Sequence, residues 1–270
     1  MTDLANRATN SQSPQVKKVD RATRIDALLP RVETELFSGN LDARFWVGQV
    51  GDMGGVQDDP DLFASVAKLR ANVYIDEKQY LGEDARREDG TESDSNELRS
   101  IQFAAIENLG NNLTRTIASG RMILKLTEDD PLPIEKYFSE VFEPGIPTVG
   151  SIEISRFISR HPDKLTQHIA SLAIIRAMAF ASSDMGVSTD YCIIEKPLLD
   201  MLNFVGIPVV ELGEPKDVPE QNGVLYPVVI NPHTILEQAS DPAFETLNMY
   251  FANERPFNGQ GFYPETLTRI

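Results

Sequence analysis

Cysteine is nearly missing: Cys192 stands alone among 270 residues. That excludes an internal disulfide and any metal site built on clustered thiolates, and it fits a reducing compartment, so a cytoplasmic protein is expected. No apolar run approaches the ~20 residues needed to span a bilayer. The opening MTDLANRATNSQSPQ lacks the apolar heart of a signal peptide. Positive charge is scarce too, with 25 Lys and Arg against 41 Asp and Glu and a formal charge of −16. Nucleic acid and anionic lipid both need a cationic surface, so the balance argues against unspecific binding to either, while leaving room for a local basic patch. There is no Walker-type phosphate loop, no nucleophile elbow and no paired-histidine metal motif. The three histidines, His161, His168 and His233, are scattered and read as surface or structural groups.

What is present suggests one substantial core with extensions. Residues 1–42 read as a mobile polar tail and an appended helix, 43–235 as the folded domain and 236–270 as a C-terminal extension. Strands are expected over 44–50, 100–106, 114–126, 148–159, 191–194, 208–212 and 225–230. Helices are expected over 61–76, 134–142, 165–185 and 197–204, with another beyond Pro232. In the longest of these, Leu165, Ile169, Leu172, Ala173 and Phe180 are expected on a core-facing side, with Gly186 as its stop. Residues 77–97 are charged and poor in apolar groups, a long loop of the kind that serves as a lid or a link. This order implies an α/β or α+β fold on a mixed central sheet flanked by helices.

Chemistry is expected in the strand TVGSIEISRFIS, residues 148–159, because Glu153 and Arg156 sit in an otherwise sheet-prone segment and buried charge needs a partner or a purpose. Strict alternation places Glu153 and Ser155 on one face and Ile152, Ile154 and Arg156 on the other. Only a bulge or bend would bring Glu153 and Arg156 into one site. Arg70, Tyr74, Tyr80, Asp94, Glu97 and Arg121 are the other candidates. The three carboxylates Asp94, Glu97 and Glu153 against Arg70, Arg121 and Arg156 suggest an ion-pair network ordering the long loop, either structural or part of a site.

Over residues 61–230 the chain resembles the acyl-homoserine-lactone synthases, the LuxI-type autoinducer synthases of the GNAT acyltransferase group. Arg70 followed by Tyr74 and Tyr80, the acids Asp94 and Glu97 ahead of a strand, Arg121 in SGRMIL and the signature Glu153-x-Ser155-Arg156-Phe157 carry the likeness. The resemblance implies a GNAT-like sheet with splayed central strands. It also implies transfer of an acyl group from a phosphopantetheine thioester to a primary amine, that of S-adenosylmethionine, giving an acyl-homoserine lactone in quorum sensing. Transfer to a free amino acid and a silent acyl-binding or sensor domain are the alternatives. Glu153 would then be the base, directly or through a water, with Ser155 and Arg156 beside it, while backbone N–H groups exposed by a bulge hold the thioester oxyanion. Arg70, Tyr74, Tyr80, Asp94, Glu97, Arg121 and Phe157 would line the substrate. No bound cofactor or metal is implied. The turn after the strand reads RHPDK, without the glycines that GNAT proteins use for coenzyme A. An acyl carrier protein is therefore the expected donor, docking on Arg160, His161 and Lys164.

Overall fold

A computed structural model of the chain describes residues 45–51, 60–110, 113–143, 145–218, 223–241, 243, 244 and 247. The expected N-terminal tail and helix, and most of the C-terminal extension, lie outside the described residues.

Eight strands form one mixed sheet: β1 (Phe45–Gly51), β2 (Ser100–Gly110), β3 (Leu113–Leu124), β4 (Ile152–Ser159), β5 (Asp190–Glu195), β6 (Val209–Glu211), β7 (Lys216–Val218) and β8 (Gly223–Ile230). The order across the sheet is β1-β2-β3-β4-β5-β8-β6, with β7 paired to β8. All pairs are antiparallel except β4 with β5. That parallel pair needs a crossover, and the helix α3 (Lys164–Asp184) supplies it. The other helices are α1 (Pro60–Ala71), α2 (Pro133–Tyr137), α4 (Lys196–Val205) and α5 (Pro232–Ala239).

The chain starts and stops α3 with short-range chemistry. The Asp163 side chain accepts from the Thr166 N–H at the first turn. Gly186, with φ +69°, takes the left-handed position past the last turn. One-sided amphipathicity was expected, but residues 171–179 are buried all round. Ile169, Ala173, Ile174 and Met178 pack on the β1–β4 side, while Leu172, Ile175 and Ala179 pack with β5, β8 and α4. Phe180 is only half-buried, with the Arg176 guanidinium 5.6 Å from its ring centre. A helix wedged between two cores cannot show a polar face, which is why the periodicity misled. Its close approach to the sheet is allowed by Gly120 in β3, where a Cβ would lie 2.9 Å from both Ile174 Cγ2 and Met178 Sδ.

Several boundaries moved. Strand β4 begins at Ile152, not Thr148, because residues 148–151 turn, with Ser151 N–H donating to the Thr148 carbonyl. Strand β7 was not expected; its three residues KDV carry no alternation to read. The helix expected over 61–76 changes pitch, continuing past α1 as a π-helical turn at Asn72–Glu77. Among the described residues no helix is long and apolar enough to cross a membrane.

Candidate active site

The site grows from an irregularity in β4. Ser119 of β3 faces Ile158, but Arg121, two residues on, faces Ser155, so β4 carries one extra residue between Ser155 and Ile158. The break falls at Arg156, whose φ of +50° is left-handed. Such a conformation costs a non-glycine residue about 1–3 kcal/mol and persists only when its surroundings hold it. Two carboxylates do so: Arg156 Nη2 donates to Glu92 Oε1 at 2.9 Å and to Asp94 Oδ2 at 3.1 Å. The bulge thereby turns Arg156 onto the face of Ser155 and Glu153, resolving the conflict that alternation posed.

Beyond the bulge β4 leaves its parallel partner. Pairing with β5 covers Ile152, Glu153 and Ile154 only, ending opposite Cys192. A cavity of about 1040 Å³ opens where the strands part. Tyr74, Tyr80, Asp94, Arg121, Glu153, Ser155, Arg156 and Phe157 all line it, as the sequence reading expects of one site. Its apolar reach is walled by Ile175 and Met178 of α3, Cys192 and Ile194 of β5, and Leu198 and Met201 at α4. Arg70 and Glu97 are not among the lining residues; they stand behind it.

Those two belong to a buried ion-pair network. Arg121 Nη1 and Nη2 each meet Asp94 at 2.8 Å, the two-pronged geometry that suits guanidinium and carboxylate. Arg70 pairs with Glu92 at 2.8 Å and with Glu97 at 2.6 Å, and also donates to Gln102 Oε1 at 3.0 Å. Although burial opposes ionisation of Asp94, the Arg121 pairing and the Arg156 charge hold its carboxyl well below the usual range. Asp94 is therefore anionic at any working pH. The network differs from expectation in one member: its third carboxylate is Glu92, not Glu153. Glu92 looked like any other acid of the charged loop, and only folding shows that its side chain is fully enclosed.

Glu153 stands apart. It is 2 % exposed and among the described residues forms no ion pair; its Oε2 accepts from the Ile134 N–H of α2 at 2.7 Å. Burial pushes its carboxyl up to about 8, a rise that the Ile134 hydrogen bond and the Arg121 charge only partly counter. One carboxyl in this wall thus exchanges protons near neutrality.

The two tyrosines hold the loop after α1 across the opening. Tyr74 OH donates to the Phe157 carbonyl at 3.1 Å, and burial raises its phenol to about 12. Lys78 Nζ ion-pairs with Glu195 at the end of β5 and lies 4.8 Å from the Tyr80 ring centre. Sequence reasoning missed Lys78, Glu195 and Gln102; the pairing of β2 with β3 sets Gln102 opposite Arg121.

Arg160, His161 and Lys164 lie elsewhere. They line a second hollow of about 700 Å³, with Lys68 of α1 and Arg115 of β3, and Gln167 borders both cavities. Acids already answer part of this charge: Arg160 pairs with Glu77, while Arg115 and His161 both contact Glu107, at 2.5 and 3.2 Å. Among the described residues no group of His, Cys, Asp and Glu could hold a metal ion.

No protein-family model and no curated protein matches the sequence. Solved structures do match in three dimensions. The acyl-homoserine-lactone synthase LasI is 19 % identical with a TM-score of 0.54, over 70 % of this chain and 89 % of LasI. BjaI, a CoA-dependent acyl-homoserine lactone synthase solved with SAM and isopentyl-CoA, is 19 % identical at 0.54, over 77 % and 90 %. TofI, in a ternary complex with an inhibitor and MTA, is 14 % identical at 0.55, over 74 % and 99 %. The chain has the acyl-homoserine-lactone-synthase fold. Within that fold the parted β4 and β5, the bulge at Arg156 and the cavity they open are features of this chain's own geometry.

Proposed function

We propose that the chain is an N-acyltransferase that moves an acyl group from a phosphopantetheine thioester to the amine of S-adenosylmethionine, giving an acyl-homoserine lactone. The observation that carries this reading is Glu153: a buried carboxyl with one backbone hydrogen bond and no ion pair among the described residues, pushed by burial up to about 8, in a cavity wall at the point where β4 and β5 part. An α-amino group has an ordinary pKa of about 7.7–8.0 and a thiol about 8.5. Glu153 is matched to both. As carboxylate it accepts a proton from the attacking amine while the C–N bond forms. As carboxyl it returns that proton to the sulfur as the C–S bond breaks. N–H groups on the edge of β4 past Ile154, which the ladder to β5 no longer uses, would steady the oxyanion between these steps. The apolar reach toward Met178 and Met201 takes the acyl chain. The polar end, with Asp94 and Arg121 held by the network, takes the amine.

Three features support this reading: the cavity, the burial of Glu153 with a single backbone hydrogen bond, and a fold shared with synthases whose structures were solved with SAM, MTA or isopentyl-CoA. The donor is proposed to be carrier-borne, with the basic hollow around Lys68, Arg115, Arg160, His161 and Lys164 receiving the acidic carrier. The deciding experiment incubates the protein with S-adenosylmethionine and either acyl carrier protein or coenzyme A bearing the same acyl chain, followed by mass spectrometry. Acyl-homoserine lactone with equimolar methylthioadenosine is expected, faster from the carrier. Acyl amide formed from a free amino acid, without methylthioadenosine, would replace the acceptor. Faster turnover from coenzyme A would replace the donor.

A further inference from the structure

Arg99 has no part in the assignments above, yet it lines the same cavity. It closes the 3₁₀ turn Glu97–Arg99 and spreads its guanidinium over uncharged acceptors. Nε and Nη2 donate to Asn96 Oδ1 at 3.1 and 2.6 Å. Nη1 donates to the Asp130 carbonyl at 2.8 Å and the Leu124 carbonyl at 3.4 Å, and Nη2 to the Pro131 carbonyl at 2.7 Å. None of these partners is a carboxylate; the Asp130 side chain accepts from Thr127 Oγ1 at 2.6 Å instead.

The carbonyls it grips lead directly into the group that touches Glu153. Three residues past Pro131, Ile134 gives its N–H to Glu153 Oε2. Glu135 holds the same stretch from the other side, accepting from the Leu132 N–H at 2.6 Å and pairing with Lys125 at 2.7 Å. The charged and titratable groups that bear on Glu153 are Arg121 of β3, Arg99 of the turn, Glu135 of α2 and the Cys192 thiol of β5. Arg121 is committed to Asp94 and Glu97, and Glu135 to Lys125. Arg99 is the cation of this set whose bonded partners are all neutral.

We propose that Arg99 is a positioning residue for the acyl transfer: it clamps the Asp130–Pro131 segment so that the Ile134 N–H stays on Glu153, and its charge favours the carboxylate over the carboxyl at that position. The kinetic half of this inference rests on Glu153 acting as the base; the coupling itself does not.

The test uses Arg99→Met, which removes charge and clamp, and Arg99→Lys, which keeps the charge and loses the planar fork. Infrared titration of the full-length protein follows the Glu153 carboxyl band, assigned by its disappearance in Glu153→Gln. In Arg99→Met the midpoint should rise by about one pH unit. In Arg99→Lys, which keeps the charge, the rise should be clearly smaller than in Arg99→Met, while turnover drops at least about tenfold through lost orientation. The pH dependence of kcat/KM should follow the infrared midpoint in each variant. An unmoved midpoint in folded Arg99→Met overturns the proposal. Should Arg99→Met fail to fold, Arg99→Lys decides, and full turnover there overturns it as well. A midpoint that moves while the kinetic profile does not leaves the coupling standing and removes Glu153 as the base.

Discussion

Glu92 and Glu153 are enclosed almost equally, at 1 % and 2 % exposure, yet their surroundings could hardly differ more. Glu92 lies between the guanidinia of Arg70 and Arg156, at 2.8 and 2.9 Å. Glu153 has one backbone N–H and no ion pair among the described residues. A buried carboxylate compensated by two cations serves as mortar, here between the long loop, α1 and the bulge of β4. A buried carboxyl left without a cation is costly when charged and becomes a proton exchanger near neutral pH. The site thus separates its labour: the arginines fix the geometry, and the uncompensated carboxyl is the group proposed for the chemistry.

Exchanging the two positions breaks the comparison most sharply. Glu153→Gln keeps an acceptor for the Ile134 N–H and loses the proposed base. It should lower kcat by about 10²–10⁴-fold, the usual worth of general acid–base catalysis, with the fold intact by circular dichroism. Near-parental turnover would remove Glu153 from the mechanism. Glu92→Gln should act in the opposite way. It leaves two buried guanidinia short of charge, and breaking such a pair costs about 3–5 kcal/mol, readable as a lower urea midpoint. If Glu92→Gln unfolds like the parent while Glu153→Gln is destabilised, the two roles are reversed.

The comparison also marks how far the sequence could be read. The sheet and its crossover helix were legible because they rest on local rules, alternation in the strands and Gly186 past the end of α3, while the residues that meet around the cavity were legible through the family resemblance that the Glu-x-Ser-Arg signature carries. Alternation also showed that Glu153 and Arg156 could share one site only through a bulge or bend in β4, though nothing local said that Arg156 would carry it. Other features depend on distant chain. Glu92 is one acid among many until Arg70 and Arg156 close on it, and Arg99 acquires its role from carbonyls 25 to 32 residues away. The buried perimeter of α3 could not be foreseen either, since its second packing face comes from β5, β8 and α4. Local chemistry sets the elements; compensation of buried charge is settled only where they meet.

A smaller effect sharpens the contrast through stability rather than rate. The folded-state pKa of Glu153, about 8, lies above its ordinary 4.5, so the native chain holds a proton that the unfolded chain releases. The stabilisation from this group is complete below pH 4.5 and is lost as pH rises through about 8. Inside that window one such proton weakens folding by about 1.4 kcal/mol per pH unit. Asp190, which burial raises to about 7 from 3.8, adds a loss of the same sign, so the difference between the parent and Glu153→Gln isolates the Glu153 share. Urea unfolding at pH 6, 7 and 8 should show the parent losing stability faster than Glu153→Gln, and parallel lines would contradict the raised value.

The smallest effect is expected at Lys78 and Glu195, the pair that ties the loop after α1 to the end of β5 across the opening of the cavity. Both side chains are about a third exposed, at 34 % and 36 %, so water screens their attraction and Lys78→Met should cost no more than about 1 kcal/mol. That is several-fold less than Glu92→Gln, although both substitutions remove one member of an ion pair. Equal losses from the two variants would mean that enclosure does not govern the strength of these pairs. The ground for assigning Glu92 to the scaffold and Glu153 to the chemistry would then be gone.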